Sequence, residues 1–435
     1  GFQKVSIIKG IQSMSEETRD PVSRPQVNEI LKSLSIEDLL RRGLLEDIIV
    51  KDDLIRALAT NNKLTIYQGY DPTSSSLHLG HYLSLRILRW FQLQGHKVIF
   101  LMGDFTAQIG DPSGRTLERK QLSQESVLGN TIFWENQISK VLDLQGDNPI
   151  EIAYNSTWLN KMDLSDFIKL SSQITVQRLI ERDMFKKRIQ DQKPLHVHET
   201  LYPLLQGYDS VAMKVDMELG GRDQLFNMMI GRDFVRSHLN KTKHVLLTPL
   251  IPGLDGRKMS KTYGNTVDLT EIPSEMFFKL TQINDELLPL FFNVFTDKPE
   301  KDINIIRNKL SRGENLQSAR ADFAYEVVQV FHGTADANIA REEFDRVINQ
   351  GKPRTQLQAM KLPSGKDGTL LDILMSSTFL ESRGEARRII NQGGVEIDDK
   401  KYLDPNETIN FSTIHGSTLK IGKRGYLKIV KSKTD

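Results

Sequence analysis

The sequence contains no cysteine. A disulfide framework, cysteine-ligated zinc and thiol nucleophiles are therefore excluded. It also carries little net charge, because 58 Lys and Arg against 56 Asp and Glu leave +2. That excludes a uniformly basic coat for nucleic acid, while a local basic groove stays possible. No apolar run approaches the roughly 20 residues needed to cross a bilayer. Hydrophobic residues at 38% and charged residues at 26% are the composition of a globular chain. With 435 residues the chain is too long for one typical core, and two or three domains are expected.

Residues 1–35 read as a tail. Lys4 and Lys9 precede the first acid, Glu16, and no apolar signal core is present. A disordered segment is expected there rather than a transit peptide. Regular periodicity begins at Ile36. It predicts short helices over Ile36–Leu45 and Lys51–Leu58, a strand over Leu64–Gln68, and a helix over Leu77–Gln94. Lys97–Met102 reads as a buried strand. Lys214–Leu219 and His244–Ile251 are further strands, separated by a helix from Asp223 to Leu239. Strands alternating with helices imply an α/β fold with a parallel sheet over 36–274. A helical insertion at 115–200 interrupts it. Helical patterns over Ser274–Phe292, Asn315–Phe331 and Ala337–Asn349 predict an all-α domain at 275–352. A linker is expected at 353–366, and 367–435 reads as a small α/β unit.

Two constellations carry chemistry. Tyr67-Gln-Gly-Tyr-Asp71-Pro-Thr73 leads into His78-Leu-Gly80-His81, a strand running through a loop into a helix. The helix N-terminus offers free N–H groups and a dipole that suits anions. Histidine donors there suit polyphosphate, and Gly80 allows close approach to the backbone. The plain alternative is a helix cap with two surface histidines. The second constellation is Arg257-Lys258-Met259-Ser-Lys261-Thr262, after Gly253-Leu-Asp-Gly256. Two lysines on such a loop can close over a leaving pyrophosphate; the alternative is a solvated basic loop. Finding both in order, about 180 residues apart at strand ends of one sheet, favours the chemical reading. Gln206 lies four residues after Tyr202 and three before Asp209, so the three share one helix face. His196 and His198 beside Glu199 lack the HExxH spacing and an obvious third ligand. A structural role is expected for them, and no metal site.

These motifs, with Gly110-Asp111-Pro-Ser-Gly-Arg115 and Gly220-Gly221-Arg222-Asp223-Gln224, resemble bacterial-type tyrosyl-tRNA synthetases of class I over about residues 36–435. The resemblance implies a Rossmann-like catalytic domain, a homodimer formed through 115–200, an anticodon-side helical domain and a C-terminal RNA-binding module. It implies activation of L-tyrosine by ATP with Mg²⁺ and transfer to tRNA(Tyr). Tyr67 and Asp209 would grip the phenol. Tyr202, Gln206 and Asp111 would take the ammonium, with Gln224 near the carboxylate. Asp71 and Thr73 would line the cleft mouth, and His78, Gly80 and His81 would meet the ATP phosphates. Gly221 would admit adenosine, and Asp223 would bind the ribose. Lys258, Met259, Lys261 and Thr262 would form a lid, and Arg115 and Arg119 a second mobile loop. Arg387, Arg388, Lys420, Lys423 and Arg424 would contact tRNA. Six positive charges and no acid lie between 420 and 433.

Arg222 departs from the family pattern and is expected to pair with Asp233 or to alter adenosine binding. Leu225 and Phe226 also depart from it, and Gln68 carries no assigned role. The nearest rival is a tryptophanyl-tRNA synthetase, opposed by Tyr67, Asp209 and the C-terminal module. A non-catalytic RNA-binding relative is opposed by the intact motifs, and a small-molecule nucleotidylyltransferase by two RNA-facing domains. The expected location is the bacterial cytoplasm, with no membrane association.

Overall fold

The computed structural model describes residues 25, 29–60, 62–113, 122–259, 263–350, 358–363, 365–377, 380, 382–398, 400–422 and 425–430. They divide into two compact units. One lies within Gly1–Glu271 and Lys279–Gly333, the other within Ile272–Phe278 and Thr334–Asp435. Among the described residues no helix is long and apolar enough to cross a membrane.

The first unit is built on a six-stranded sheet of order β1-β6-β5-β2-β3-β4. Its strands are β1 Asp47–Ile49, β2 Thr65–Tyr70, β3 Lys97–Met102, β4 Glu151–Tyr154, β5 Met217–Gly221 and β6 His244–Thr248. All pairings are parallel except that of β1 with β6. In β3 every residue after Lys97 is buried, and β6 is buried throughout. This is why these strands read as apolar runs without alternation: helices cover both faces of such a sheet.

Local chemistry sets the ends of the elements. Ser35 and Asp38 form a capping box at the start of the Ile36–Arg42 helix, and Gly43 at φ +78° closes it. The predicted extension to Leu45 is thereby cut short. β6 stops at Thr248 rather than Ile251, because Pro249 has no N–H to donate. Its neighbour β5 begins at Met217 rather than Lys214 and ends at Gly221. A 3₁₀ turn over Arg222–Gln224 then delays the following helix to Leu225–Leu239.

Two strands escape the periodicity. β1 is three residues long, and β4 lies inside the 115–200 insertion. The insertion is therefore not wholly helical: it returns the chain to the sheet edge beside β3. The predicted Ser274–Phe292 helix is two helices, Pro273–Leu280 and Leu288–Phe295, joined through a 3₁₀ turn at Asp285–Leu287. The helical run Gln317–Gln350 is broken at Gly333, whose φ of +86° and ψ of 170° fit no helix.

The second unit carries a five-stranded sheet of order β10-β9-β12-β13-β7 and a two-stranded one of order β11-β8. The strands are β7 Gln358–Lys361, β8 Asp367–Thr369, β9 Val395–Ile397, β10 Lys400–Tyr402, β11 Thr408–Asn410, β12 Thr418–Ile421 and β13 Gly425–Val430. Leu374, Ile390, Val395, Leu419 and Ile429 belong to its core. Part of the expected linker at 353–366 is in fact β7, which pairs in parallel with β13.

Candidate active site

The order of the first sheet creates the site. β5 lies on one side of β2 and β3 on the other, so the winding reverses at β2. A crevice opens there beyond the carboxyl ends of the strands, the usual ligand position in open α/β sheets. It holds a cavity of about 220 Å³, lined by Tyr67, Asp71, His81, Asp111, Tyr202, Gln206, Asp209, Glu218, Gly221 and Gln224 among others. All six residues expected to bind tyrosine meet in this one cavity. Tyr202, Gln206 and Asp209 reach it from one face of the Val197–Ala212 helix.

The polar groups of the cavity hold one another. Tyr202 donates its hydroxyl to Asp71 Oδ2 at 2.9 Å, and Thr106 Oγ1 donates to Asp71 Oδ1 at 2.8 Å. Gln224 Nε2 donates to Asp111 Oδ2 at 2.6 Å. Asn227 Nδ2 donates to Gln206 Oε1 at 2.8 Å and to Gln224 Oε1 at 3.2 Å, orienting both amides. Asp209 is 2% exposed. It accepts from Trp158 Nε1 at 2.7 Å and Asn155 Nδ2 at 3.2 Å. Burial pushes its pKa well above the ordinary carboxyl range, although these two donors oppose the shift. Burial likewise raises the Tyr67 and Tyr202 hydroxyls, with nearby carboxylates adding to the effect.

His78 caps the Leu79–Leu93 helix, which therefore begins two residues later than the periodicity predicts. His78 Nδ1 accepts from the Gly80 N–H at 3.1 Å, and His81 Nδ1 accepts from the His78 N–H at 3.1 Å. With Nδ1 accepting, a neutral ring carries its proton on Nε2 and can donate from there. The ring centroids are 3.9 Å apart. The chain after the second motif returns to this helix start: Leu79 N donates to Val267 O at 2.9 Å, and Leu269 N to Leu77 O at 2.8 Å. Lys258 and Thr73 are exposed and do not line the cavity. A Cβ on Gly221 would lie 2.6 Å from Asp223 Oδ1, so a side chain there would push that carboxylate aside.

Residues 59–349 match the family of class I tRNA synthetases for W and Y, and residues 370–414 match the S4 domain. The tyrosine–tRNA ligase of Legionella pneumophila strain Philadelphia 1 is 39% identical over 91% of this chain and 98% of its own length. That of Coxiella burnetii is 40% identical over 90% of this chain and 97% of its own. The chain belongs to the bacterial-type tyrosyl-tRNA synthetases. A C-terminally truncated mitochondrial tyrosyl-tRNA synthetase of Aspergillus nidulans shares the fold, with a TM-score of 0.62 at 22% identity over 78% of this chain and 98% of that one.

Several groups of this synthetase's site carry no motif. Asn155 and Trp158 come from the insertion, whose other helices hold the loop before His78. Trp134 Nε1 donates to Ser74 O at 3.0 Å, and Gln137 Oε1 accepts from the Leu77 N–H at 2.7 Å. Glu218 on β5, which lines the cavity, and Lys243 before β6, which does not, form an ion pair at 2% and 0% side-chain exposure. A lone Glu in an otherwise apolar strand is the one signal in the residues, because such a charge is buried only with a partner.

Arg222 does not pair with Asp233. Its Nε bonds Glu46 Oε1 at 2.6 Å, while Arg178 takes Asp233 at 2.7 Å. Glu199 is held by Arg188 at 2.6 Å, and the His196 and His198 rings stack at 5.7 Å. Among the described residues no group of three or more His, Cys, Asp or Glu could hold a metal ion. In the second unit Arg387 and Arg388 are exposed on the Arg383–Asn391 helix. Lys420 is engaged instead, 3.1 Å from Glu396 on β9. Arg115, Arg119, Lys261, Thr262, Lys423 and Arg424 lie outside the described residues.

Proposed function

We propose that the cavity binds L-tyrosine, with Tyr67 and Asp209 at the phenol, Tyr202, Gln206 and Asp111 around the ammonium and Gln224 by the carboxylate. The observation that carries this reading is that His81, from the phosphate-binding motif, lines the same small cavity as these six residues. An amino acid held there has its carboxylate end close to groups suited to ATP.

As a tyrosine–tRNA ligase the chain activates tyrosine with ATP and passes it to tRNA. The carboxylate of tyrosine is ionised at neutral pH and needs no general base. One of its oxygens attacks the α-phosphorus, the bond from that phosphorus to the bridging oxygen breaks, and pyrophosphate leaves. A ribose hydroxyl at the 3′ end of tRNA(Tyr) then attacks the acyl carbon and AMP leaves. The protein's part is alignment and stabilisation of developing charge. His78 and His81 serve this from the helix start. Lys258, Met259, Lys261 and Thr262 close over the phosphates, and Arg115 and Arg119 help hold pyrophosphate or the tRNA end. Asp71, Thr73, Gly80, Gly221 and Asp223 hold the nucleotide. Mg²⁺ would accompany ATP and would neutralise the charge of the leaving pyrophosphate.

The chain acts as a homodimer through the 115–200 insertion. That segment exposes Phe133 at 59%, Leu164 at 74%, Val176 at 68% and Val197 at 73%, an excess of apolar surface that a partner copy would cover. Arg387, Arg388, Lys423 and Arg424 contact tRNA, and the enzyme works in the cytoplasm. Tyrosine-dependent exchange of pyrophosphate into ATP, with tryptophan and phenylalanine run in parallel, tests the central assignment. Exchange with tyrosine alone is expected, and exchange with tryptophan would overturn the roles of Tyr67 and Asp209.

A further inference from the structure

Below the cavity a chain of buried hydrogen bonds runs from Lys243 to Tyr67. Lys243 Nζ pairs with Glu218 Oε2 and donates to Ser210 Oγ at 2.9 Å. Ser210 Oγ lies 3.4 Å from Glu218 Oε2 and 2.8 Å from the Tyr67 hydroxyl. The other Glu218 oxygen accepts from Gln206 Nε2 at 3.1 Å. Lys243, Ser210 and Tyr67 are each at 0% exposure, and only Tyr67 and Glu218 of the chain also line the cavity with Gln206.

The direction of these bonds follows from what each group can do. An ammonium only donates and a carboxylate only accepts, whereas a serine hydroxyl has one proton and two lone pairs. Lys243 occupies one lone pair of Ser210, and Glu218 attracts its proton. The second lone pair is open to Tyr67, whose hydroxyl is also drawn to the Glu218 carboxylate, so both acceptors for its proton lie on the inner side.

We infer that Lys243, through Ser210, is a positioning residue for substrate selection: it commits the Tyr67 proton inward, so that Tyr67 offers the cavity an oxygen lone pair that accepts the phenolic O–H of tyrosine. Phenylalanine has no proton to give and leaves that lone pair unmatched. Through Glu218, the same ammonium also fixes the amide of Gln206. The inference rests on the cavity being the tyrosine site.

Two variants test it without stranding a buried charge. Ser210→Ala cuts the chain and leaves the ion pair whole. The double variant Lys243→Met with Glu218→Gln removes both charges together. Pyrophosphate exchange would give kcat and KM for tyrosine, phenylalanine and ATP, with thermal melting as the check on folding. In both variants tyrosine should lose roughly 5- to 20-fold of its kcat/KM advantage over phenylalanine, the worth of one directed hydrogen bond. The KM for ATP should stay within about twofold, because the chain does not reach the nucleotide groups. An unchanged preference in both folded variants overturns the inference, as does an equal rise in the KM of tyrosine and ATP. Gln206→Ala separates the two levels. If it leaves the KM of tyrosine unaltered, the site assignment itself has failed; if it raises that KM while Ser210→Ala keeps the wild-type preference, only the role of Lys243 is lost.

Discussion

Met259 packs against Gly80. A Cβ built on that glycine would lie 3.1 Å from Met259 Sδ and 3.0 Å from His78 Cε1. The two signature motifs therefore meet through a methionine and a missing side chain. In the sequence Gly80 suggests room for a ligand at the backbone; on its side-chain side Met259 and His78 fill that room. Gly80→Ala should displace Met259 and His78 and lower the rate of tyrosine activation by roughly 10- to 100-fold, the cost of misaligning reacting groups by a fraction of a bond length. Tyrosine affinity should hold. Adding Met259→Ala should recover part of the rate, and single-turnover adenylate formation would show it. Equal rates for the single and double variants would break the link between the motifs.

His78→Ala tests the division of labour within the cleft. His78 caps the helix start, and the proposed role for it is at the phosphates rather than at the amino acid. The activation rate should fall by roughly 100- to 1,000-fold, the scale for one donor aimed at developing charge. Lys261→Ala should behave alike. A matched loss of tyrosine binding in equilibrium titration would contradict the assignment.

Asp209 makes the stability of the ligand-free protein depend on pH. Its folded pKa is raised by burial above the ordinary 3.8. Between 3.8 and the raised value the folded state keeps a proton that the unfolded chain has released. Stability is therefore lost as pH rises through that interval, by at most about 1.4 kcal/mol per pH unit. Asp209→Asn cannot titrate. Its denaturation midpoint should gain on the wild type as pH rises, while its tyrosine KM increases. Parallel stability curves for the two proteins would show that the carboxyl is not titrating in this way.

The RNA module should separate charging from activation. Removing residues 360–435 should spare pyrophosphate exchange and damage aminoacylation. Arg387→Ala and Arg388→Ala should each reduce the slope of log affinity for tRNA against log salt by about one contact's share, close to 0.7–0.9. Lys420→Ala should change it less, because Glu396 already engages that ammonium. An equal loss of exchange and charging on truncation would remove the basis for assigning the module to RNA.

Much of this protein is legible in its residues alone. Local rules act over a few positions: Tyr202, Gln206 and Asp209 fall on one face because a helix repeats every 3.6 residues, and they do line one cavity. The strands β2, β3, β5 and β6 are visible because buried parallel strands are apolar runs. The ordered motifs name the family and, with it, the ligation of tyrosine to tRNA.

What cannot be read depends on contacts between distant parts of the chain. Lys243 and Glu218 are 25 residues apart, Trp158 and Asp209 are 51 apart, and Arg222 lies 176 residues from Glu46. No periodicity relates such pairs; sheet order and strand register bring them together. β4 is hidden for the same reason, since four residues of a short edge strand carry too little pattern and gain their identity from pairing with β3. The run of positive charge from Lys420 to Lys433 looks uniform along the chain, yet its first member faces Glu396 across the sheet. Motifs and periodicities are properties of neighbours in sequence, so they announce the chemistry; the partners that aim and neutralise each catalytic or binding group are neighbours only in space, and folding alone selects them.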